Sequence, residues 1–358
     1  MSKALIISAA KTIDAAGCQR ACLQLEADIK TLGIAVTELV IDPLKTDWHS
    51  PLEENHFRSG CGPIEAIHRA KQLIANGEHA VVITGKDDLR SGYNRDERVT
   101  LMAVYGEDYP LTHAYNELAE RFIHRHGADA ALFHHLAHHL FENYKCSYRN
   151  VVSDELAAEK LPDQRWYNHI TPLFRGVDCA NPLIDFSGRI LLCSEHLSEQ
   201  LEIPRDLQIE VKGVGLGILP GDGKNHVEDI VSYAHLESAY REACQDAVVD
   251  FAESFRQGNA LLEAYTCYPV VPMAFLLASG LVDMLEDIPA FLEQHRITIT
   301  GGMNLAKGPW NNPALNSLID MYHRLCCGDS ALGAVHGNGG LGYKQGIAIL
   351  QAATQANA

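Results

Sequence analysis

The chain has 358 residues and a mass of 39.4 kDa, enough for a sizeable core and for two or three sub-domains. It carries 46 acidic against 29 basic side chains, a formal net charge of -17, and no dense Lys/Arg block. That balance excludes binding along a nucleic-acid backbone or to an anionic membrane as the organising function. At 47% hydrophobic and 21% charged the composition is that of an ordinary globular protein, and no apolar run approaches a membrane span.

In chain order, residues 4–9 read as a buried strand. The short apolar run lies between Lys3 and Lys11 and fits a strand better than a leader peptide. Residues 17–32 have helical periodicity, with Cys18, Cys22, Leu25 and Ile29 on one face. Residues 35–41 form a second strand, and a polar loop with Pro43 and Pro51 comes after it. Pro63 opens a helix that Gly77 ends, since proline suits the first helical turn. Residues 80–85 are again a strand. This order predicts an α/β layer with much parallel sheet.

Residues 87–110 are polar and irregular, and 115–126 and 131–148 have helical patterns. Pro162, Pro172 and Pro182 punctuate the stretch beyond them. Strands at 189–193 and 208–217 and a short helix at 194–200 come next. Then come helices at 226–245 and 246–258, a strand at 261–266 and a helix at 269–285. Strands at 297–300, 332–336 and 342–350, with a helix at 313–325, close the chain. Two α/β halves separated by an insertion near 111–205 are the expected organisation.

Two glycine-bearing turns, 300–312 and 335–342, each leave a strand end and offer the floor of one pocket. Asn304, Asn311, Asn312, His336 and Asn338 lie in them. His336, among glycines at an expected strand end, suits proton transfer. Cys61, in Ser59-Gly60-Cys61-Gly62-Pro63, sits at a helix start, where the dipole favours a thiolate. It suits a small residue packed in a tight turn equally well. Cys267 also stands where a strand gives way to a helix, a place where buried cysteines are common. Gly213-Val214-Gly215-Leu216-Gly217 imitates a dinucleotide loop but lacks its spacing, and reads as a strand leaving the sheet. His134, His135, His138 and His139 have i,i+4 spacing for a metal, but no Asp or Glu stands beside them on the same turn. No metal site is expected. The ten cysteines show neither a disulfide framework nor a zinc pattern, which predicts free thiols in a reducing cytoplasm.

With these residues placed, the chain from about Arg58 onward resembles the thiolase superfamily. It is most similar to the sterol-carrier-protein-type thiolases and related bacterial thiolase-like (acetyl-CoA acetyltransferase-like) proteins. CANPLIDFSGRILLCSE (179–195) is similar to the family's PTSDGAAALVLASE strand, with Asp185 at its Asp. EAYTCY (263–268) is similar to EVHDCF. Residues 300–312 stand where the family has its GHP segment, and 335–342 where it has its CxGGG or GNG loop. The order and spacing of these segments, more than any one of them, carry the resemblance.

The resemblance implies an α/β thiolase-like five-layer αβαβα fold. Residues 1–110 would be the first half, 111–205 an inserted loop domain and 206–358 the second half. It implies an acyltransferase of lipid metabolism acting on coenzyme A thioesters such as acetyl-CoA, with no metal or prosthetic group. Cys61 would carry the acyl group, and Cys267 would move the α-proton with His336. Asn338, Gly339, Asn311 and Asn312 would serve substrate and oxyanion, and Asn181 and Asp185 would contact coenzyme A. Homodimers or homotetramers, and a small OB-fold or zinc-ribbon accessory protein, are the implied partners. The departures favour an alternative, a catalytically degenerate thioester-binding protein acting through a partner. Aligned without gaps, the nucleophile position falls on Gly60, with Cys61 one residue late. The GHP histidine is replaced around Gly308-Pro309, and the His and Asp of HDCF are Tyr265 and Thr266.

Overall fold

The structure is a computed structural model that describes residues 2–152 and 161–353. Nine strands lie in one path in the order β4-β3-β5-β6-β1-β7-β10-β9-β8, and a two-residue strand, β2 (Ala16–Gly17), pairs with β1 off that path. The first half contributes β1 (Ala4–Ile13), β3 (Val36–Ile41), β4 (His56–Phe57), β5 (Ala80–Asp88) and β6 (Asp185–Ser194). The second contributes β7 (Ile209–Ile218), β8 (Ala260–Glu263), β9 (Leu332–Gly339) and β10 (Lys344–Ala352). The halves meet at a short antiparallel seam, where Leu5 faces Glu210 and Ile6 faces Ile209.

Five layers result from which faces the strands bury. In β1, Ala4 and Ile6 enter one core while Leu5 and Ile7 enter another. In β5, Val81 and Ile83 alternate in the same way with Ala80 and Val82. Successive strand side chains point to opposite faces, so both faces must be covered. Helix α1 (Arg20–Thr31) covers the outer face of the first half. Helix α2 (Gly62–Ala75) and the helix Pro313–Cys326 lie in the centre and touch strands of both halves. The helix Ala234–Ala247 covers β7 and β10 on the far side. The expected five-layer, two-halved α/β architecture is present.

The Gly-x-Gly-x-Gly run is part of β7 and works by close approach. A Cβ on Gly213, Gly215 or Gly217 would collide with the carbonyl oxygens of Ala243, Ala239 and His235 on the covering helix. Val214 and Leu216 point the other way, into the central core.

Three expectations change. Within the range 111–205 assigned to an insertion, residues 185–194 are β6, a central strand paired to both β1 and β5. The helical cover there is α4 (Leu111–Arg125) and α5 (Ala130–Val151). The segment 297–300 is not a strand. The buried carboxylate of Glu263 accepts from the Ile299 and Thr300 backbone N–H groups (2.6 and 3.1 Å), which replaces a ladder. Most of the second glycine turn, 335–339, is the end of β9, whose glycines serve packing. A Cβ on Gly337 would lie 2.7 Å from Ile64 and 3.2 Å from the Cys61 Cα. No described helix is long and apolar enough to cross a membrane.

Candidate functional site

A cavity of about 700 Å³ opens where the loop before α2, the segment after Glu263, the 303–311 turn and the β9–β10 turn converge. Its volume falls within the range of small-molecule sites. The walls are chiefly aliphatic and aromatic and include Trp48, Tyr105, Tyr115, Tyr265, Tyr268 and Trp310. Cys267 and Asn338 bring polar groups to it, and Gly60 and Gly340 expose backbone.

The loop before α2 is held under constraint. Ser59 has φ +89°, a left-handed conformation that L side chains rarely adopt. Asn311 spans this turn: its Oδ1 accepts from the Ser59 N–H (3.1 Å) and its Nδ2 donates to the Asp42 carbonyl (2.8 Å). Arg58, itself buried, donates to the Asp42 carboxylate through Nε (3.0 Å) and Nη2 (2.8 Å). Its Nη1 donates to the carbonyls of Asp47, Trp48 and Ser50. The loop that carries Trp48 is therefore fixed from beneath, and Trp48 meets Trp310 edge-on at 6.2 Å.

Cys61 does not reach the cavity. It caps α2 with helical backbone angles and is fully buried in the central core. Its sulfur faces Gly346 of β10, where a Cβ would stand 2.8 Å away. Burial, with Glu65 adding to it, pushes its thiol well above the ordinary range. A thiol in that setting is a packed core residue, outside the cavity where the expected nucleophile would stand. The wall at this point is Gly60. A Cβ there would lie 2.5 Å from the Asn338 carbonyl oxygen and 2.6 Å from Cζ of Tyr265, and closer still to the Tyr265 hydroxyl. The tyrosine hydroxyl thus occupies the volume in which a side chain at position 60 would begin.

His336 does not line the cavity either. It lies inside β9, opposite Ile347. Its Nδ1 accepts from the Tyr265 backbone N–H (3.4 Å), and its Nε2 faces Gln345 Oε1 at 2.8 Å. The ring stacks on Phe275 at 4.7 Å. Burial lowers its pKa to about 4, so the imidazole is neutral at physiological pH with both nitrogens engaged.

The polar groups from His336 to Tyr115 form one directed chain. Gln345 Nε2 donates to the Gly342 carbonyl (2.9 Å) and to Asn338 Oδ1 (2.7 Å), which fixes the orientation of both amides. Asn338 Nδ2 donates to the Tyr115 hydroxyl (2.9 Å), which donates to the Gly340 carbonyl (2.6 Å). Asn338 is thus at the cavity, but its side chain is engaged in this chain. Cys267 lines the floor beside Tyr115, and burial pushes its thiol up to about 12.

The other expected residues are distributed unevenly. Gly339 lies outside the lining and packs on Ser59, and its neighbour Gly340 forms the wall. Asn312 is fully buried against Gly85, away from the lining, with both amide atoms unpartnered. Asn304 donates to the Val177 carbonyl at 3.1 Å. Asn181 is exposed and accepts from the Leu183 N–H, between Ala180 and Pro182, which do line the cavity. Asp185 lies outside the lining and accepts from the N–H groups of Arg90 and Ser91, both at 2.9 Å. Trp48, Tyr105, Tyr115 and Gln345 escaped sequence reasoning. No local pattern marks them, because each reaches the site through tertiary contacts. Among the described residues no group of three or more His, Cys, Asp or Glu side chains is placed to hold a metal ion.

No family model matches the sequence, and no curated protein matches it. Solved structures do. One is a monomeric SCP2-thiolase-like protein type 1 from Mycobacterium smegmatis, with a TM-score of 0.71 at 14% identity, covering 99% of this chain and 79% of that one. Another is a chain of the Ltp2-ChsH2(DUF35) aldolase, with a TM-score of 0.65 at 14% identity, covering 99% of each. Together with the two halves and the central helix pair, these likenesses show that the fold of this chain is that of the SCP2-thiolase-like proteins.

Proposed function

We propose that the protein binds an acyl thioester, of the coenzyme A type, in the cavity without passing through an acyl-cysteine. The observation that carries this reading is the Tyr265 hydroxyl in the volume that a side chain at position 60 would need. Cys61 cannot substitute, since its sulfur lies on the core side of the same turn. The floor instead presents the Tyr265 hydroxyl and the Cys267 thiol, both protonated near neutrality because burial raises them, while the Tyr115 proton is committed to the Gly340 carbonyl. Neutral donors in an apolar cavity suit a thioester carbonyl oxygen, which needs hydrogen bonds and no counter-charge. An accessory protein of OB-fold type belongs to the same proposal, because one similar structure is named for two components.

A second reading is carbon–carbon cleavage of the aldol type. The aldolase among the similar structures favours it, as do the Tyr265 and Cys267 side chains on one floor. Such cleavage needs no bond between enzyme and acyl group.

Intact mass after incubation with acetyl-CoA and decanoyl-CoA, with calorimetry on the same samples, tests the first reading. We expect heat of binding and an unchanged protein mass. An acyl increment that survives denaturation and maps to Cys61 or Cys267 would sink it.

A further inference from the structure

Val99, Thr100, Met102 and Ala103 border the cavity, and none of residues 91–103 is buried. At their centre is helix α3 (Arg95–Met102), and its stability is local. Asn94 Oδ1 accepts from the Glu97 N–H (2.9 Å) and Glu97 Oε2 accepts from the Asn94 N–H (3.2 Å), a complete capping box. Arg98 donates to the carbonyls of Leu89 and Tyr93, both just upstream. Val99, Thr100, Met102 and Ala103 face the cavity, and Val99 is 63% exposed. An apolar side chain left in water at the rim of an apolar cavity would gain contact if the helix moved inward.

Each end of this segment is tied by a tyrosine to an aspartate. Tyr93 donates to Asp87 Oδ1 (3.0 Å), and Asp87 lies near the end of β5 in the first half. Tyr105 donates to Asp222 Oδ2 (2.7 Å), beyond the end of β7 in the second half. Asp222 Oδ1 also accepts from the Leu341 N–H (3.0 Å), so this tie reaches the turn that carries Gly340 into the cavity wall. Asp185 fixes the amides of Arg90 and Ser91 just before the segment. Just after it, Gly106 has φ +92° and open space where a Cβ would be. A locally stable helix between two tied ends has the construction of a hinged cover.

We propose that residues 94–103 are a lid on the cavity, held at its two ends by the Tyr93–Asp87 and Tyr105–Asp222 hydrogen bonds and closing over bound ligand through Val99 and Met102. This rests on the cavity being a ligand site. Its ligand-free test does not depend on which ligand is used. Amide hydrogen exchange on the full chain, read by mass spectrometry, should show α3 exchanging at least tenfold faster than β5. Tyr105→Phe should speed α3 by at least about tenfold, the worth of one hydrogen bond to a carboxylate, and leave β5 unchanged. If Tyr105→Phe speeds β5 as well, the fold itself has loosened, and Tyr93→Phe at the other tie decides. The lid is overturned if α3 exchanges as slowly as β5, or if a folded latch variant leaves α3 unchanged. With decanoyl-CoA bound by calorimetry, α3 exchange should slow, and unchanged exchange overturns closure. Absence of binding overturns the thioester reading, while the ligand-free arm still decides whether the segment opens.

Discussion

Replacing Gly60 by alanine probes the feature on which the functional reading turns. Gly60 is not among the glycines of positive φ, so its backbone conformation is open to any residue. Only the space beyond it forbids a side chain. The added methyl would stand 2.5 Å from a backbone carbonyl oxygen and 2.6 Å from a tyrosine ring carbon, both inside van der Waals contact. Tyr265 is buried and cannot swing away freely, and Asn338 lies in β9, paired with Gln345. Overpacking of this kind costs about 1–3 kcal/mol, and the backbone contact places Gly60→Ala toward the upper end. Adding Tyr265→Phe removes the hydroxyl but leaves the ring and the carbonyl, so the double variant should recover only part of the loss. Urea unfolding of the two single variants and the double variant, read as a double-mutant cycle, measures this coupling. If Gly60→Ala unfolds within about 0.5 kcal/mol of the parent, surface-like behaviour, the position has room for a side chain. Tyr265 would then not exclude a nucleophile there.

Iodoacetamide at pH 8, followed by peptide mapping, should label the exposed Cys18 and Cys327 and leave native Cys61 unmodified. Labelling of Cys61 at the rate of Cys18 would contradict its burial. His336 has a folded pKa of about 4, below the ordinary 6.5. The unfolded chain therefore binds the extra proton between those values, and the stability that the neutral ring contributes is lost as pH falls from about 6.5 toward 4. His336→Gln should weaken this acid loss by up to about 1.4 kcal/mol per pH unit. Parallel stability curves for parent and variant across that window would refute it. Arg58→Met leaves the buried Asp42 carboxylate with only the His56 ring (2.8 Å) beside it and should cost toward the lower end of about 3–5 kcal/mol, with a change in tryptophan fluorescence. A loss below about 1 kcal/mol, the worth of an exposed pair, would show that the loop is held by other contacts.

Much of the fold was legible because strand and helix periodicities are local. The alternation of Ala4, Leu5, Ile6 and Ile7 already requires a sheet covered on both faces, and Pro63 and Gly77 mark the ends of α2. The order of the 179–195, 263–268 and 335–342 segments pointed to the thiolase-like architecture that the structure has. Where a side chain points at the site was not legible. One residue's step at the start of a helix turns the side chain by roughly 100°, enough to send Cys61 into the core and leave Gly60 at the cavity. His336 looked like a strand-end histidine because glycines surround it, but Gly337 serves the approach of β9 to the α2 turn, and the histidine is interior. The two glycine turns expected to form one floor therefore divide. The 303–311 turn supplies Trp310 and Asn311, the second turn supplies Gly340, and Tyr265 from the opposite segment fills the place between them. From the residues alone came two α/β halves, because strand and helix periodicities are local, and the five layers came only with the family resemblance. The tertiary structure alone decided the chemistry of the cavity, because that depends on which atoms of distant segments compete for the same few ångströms.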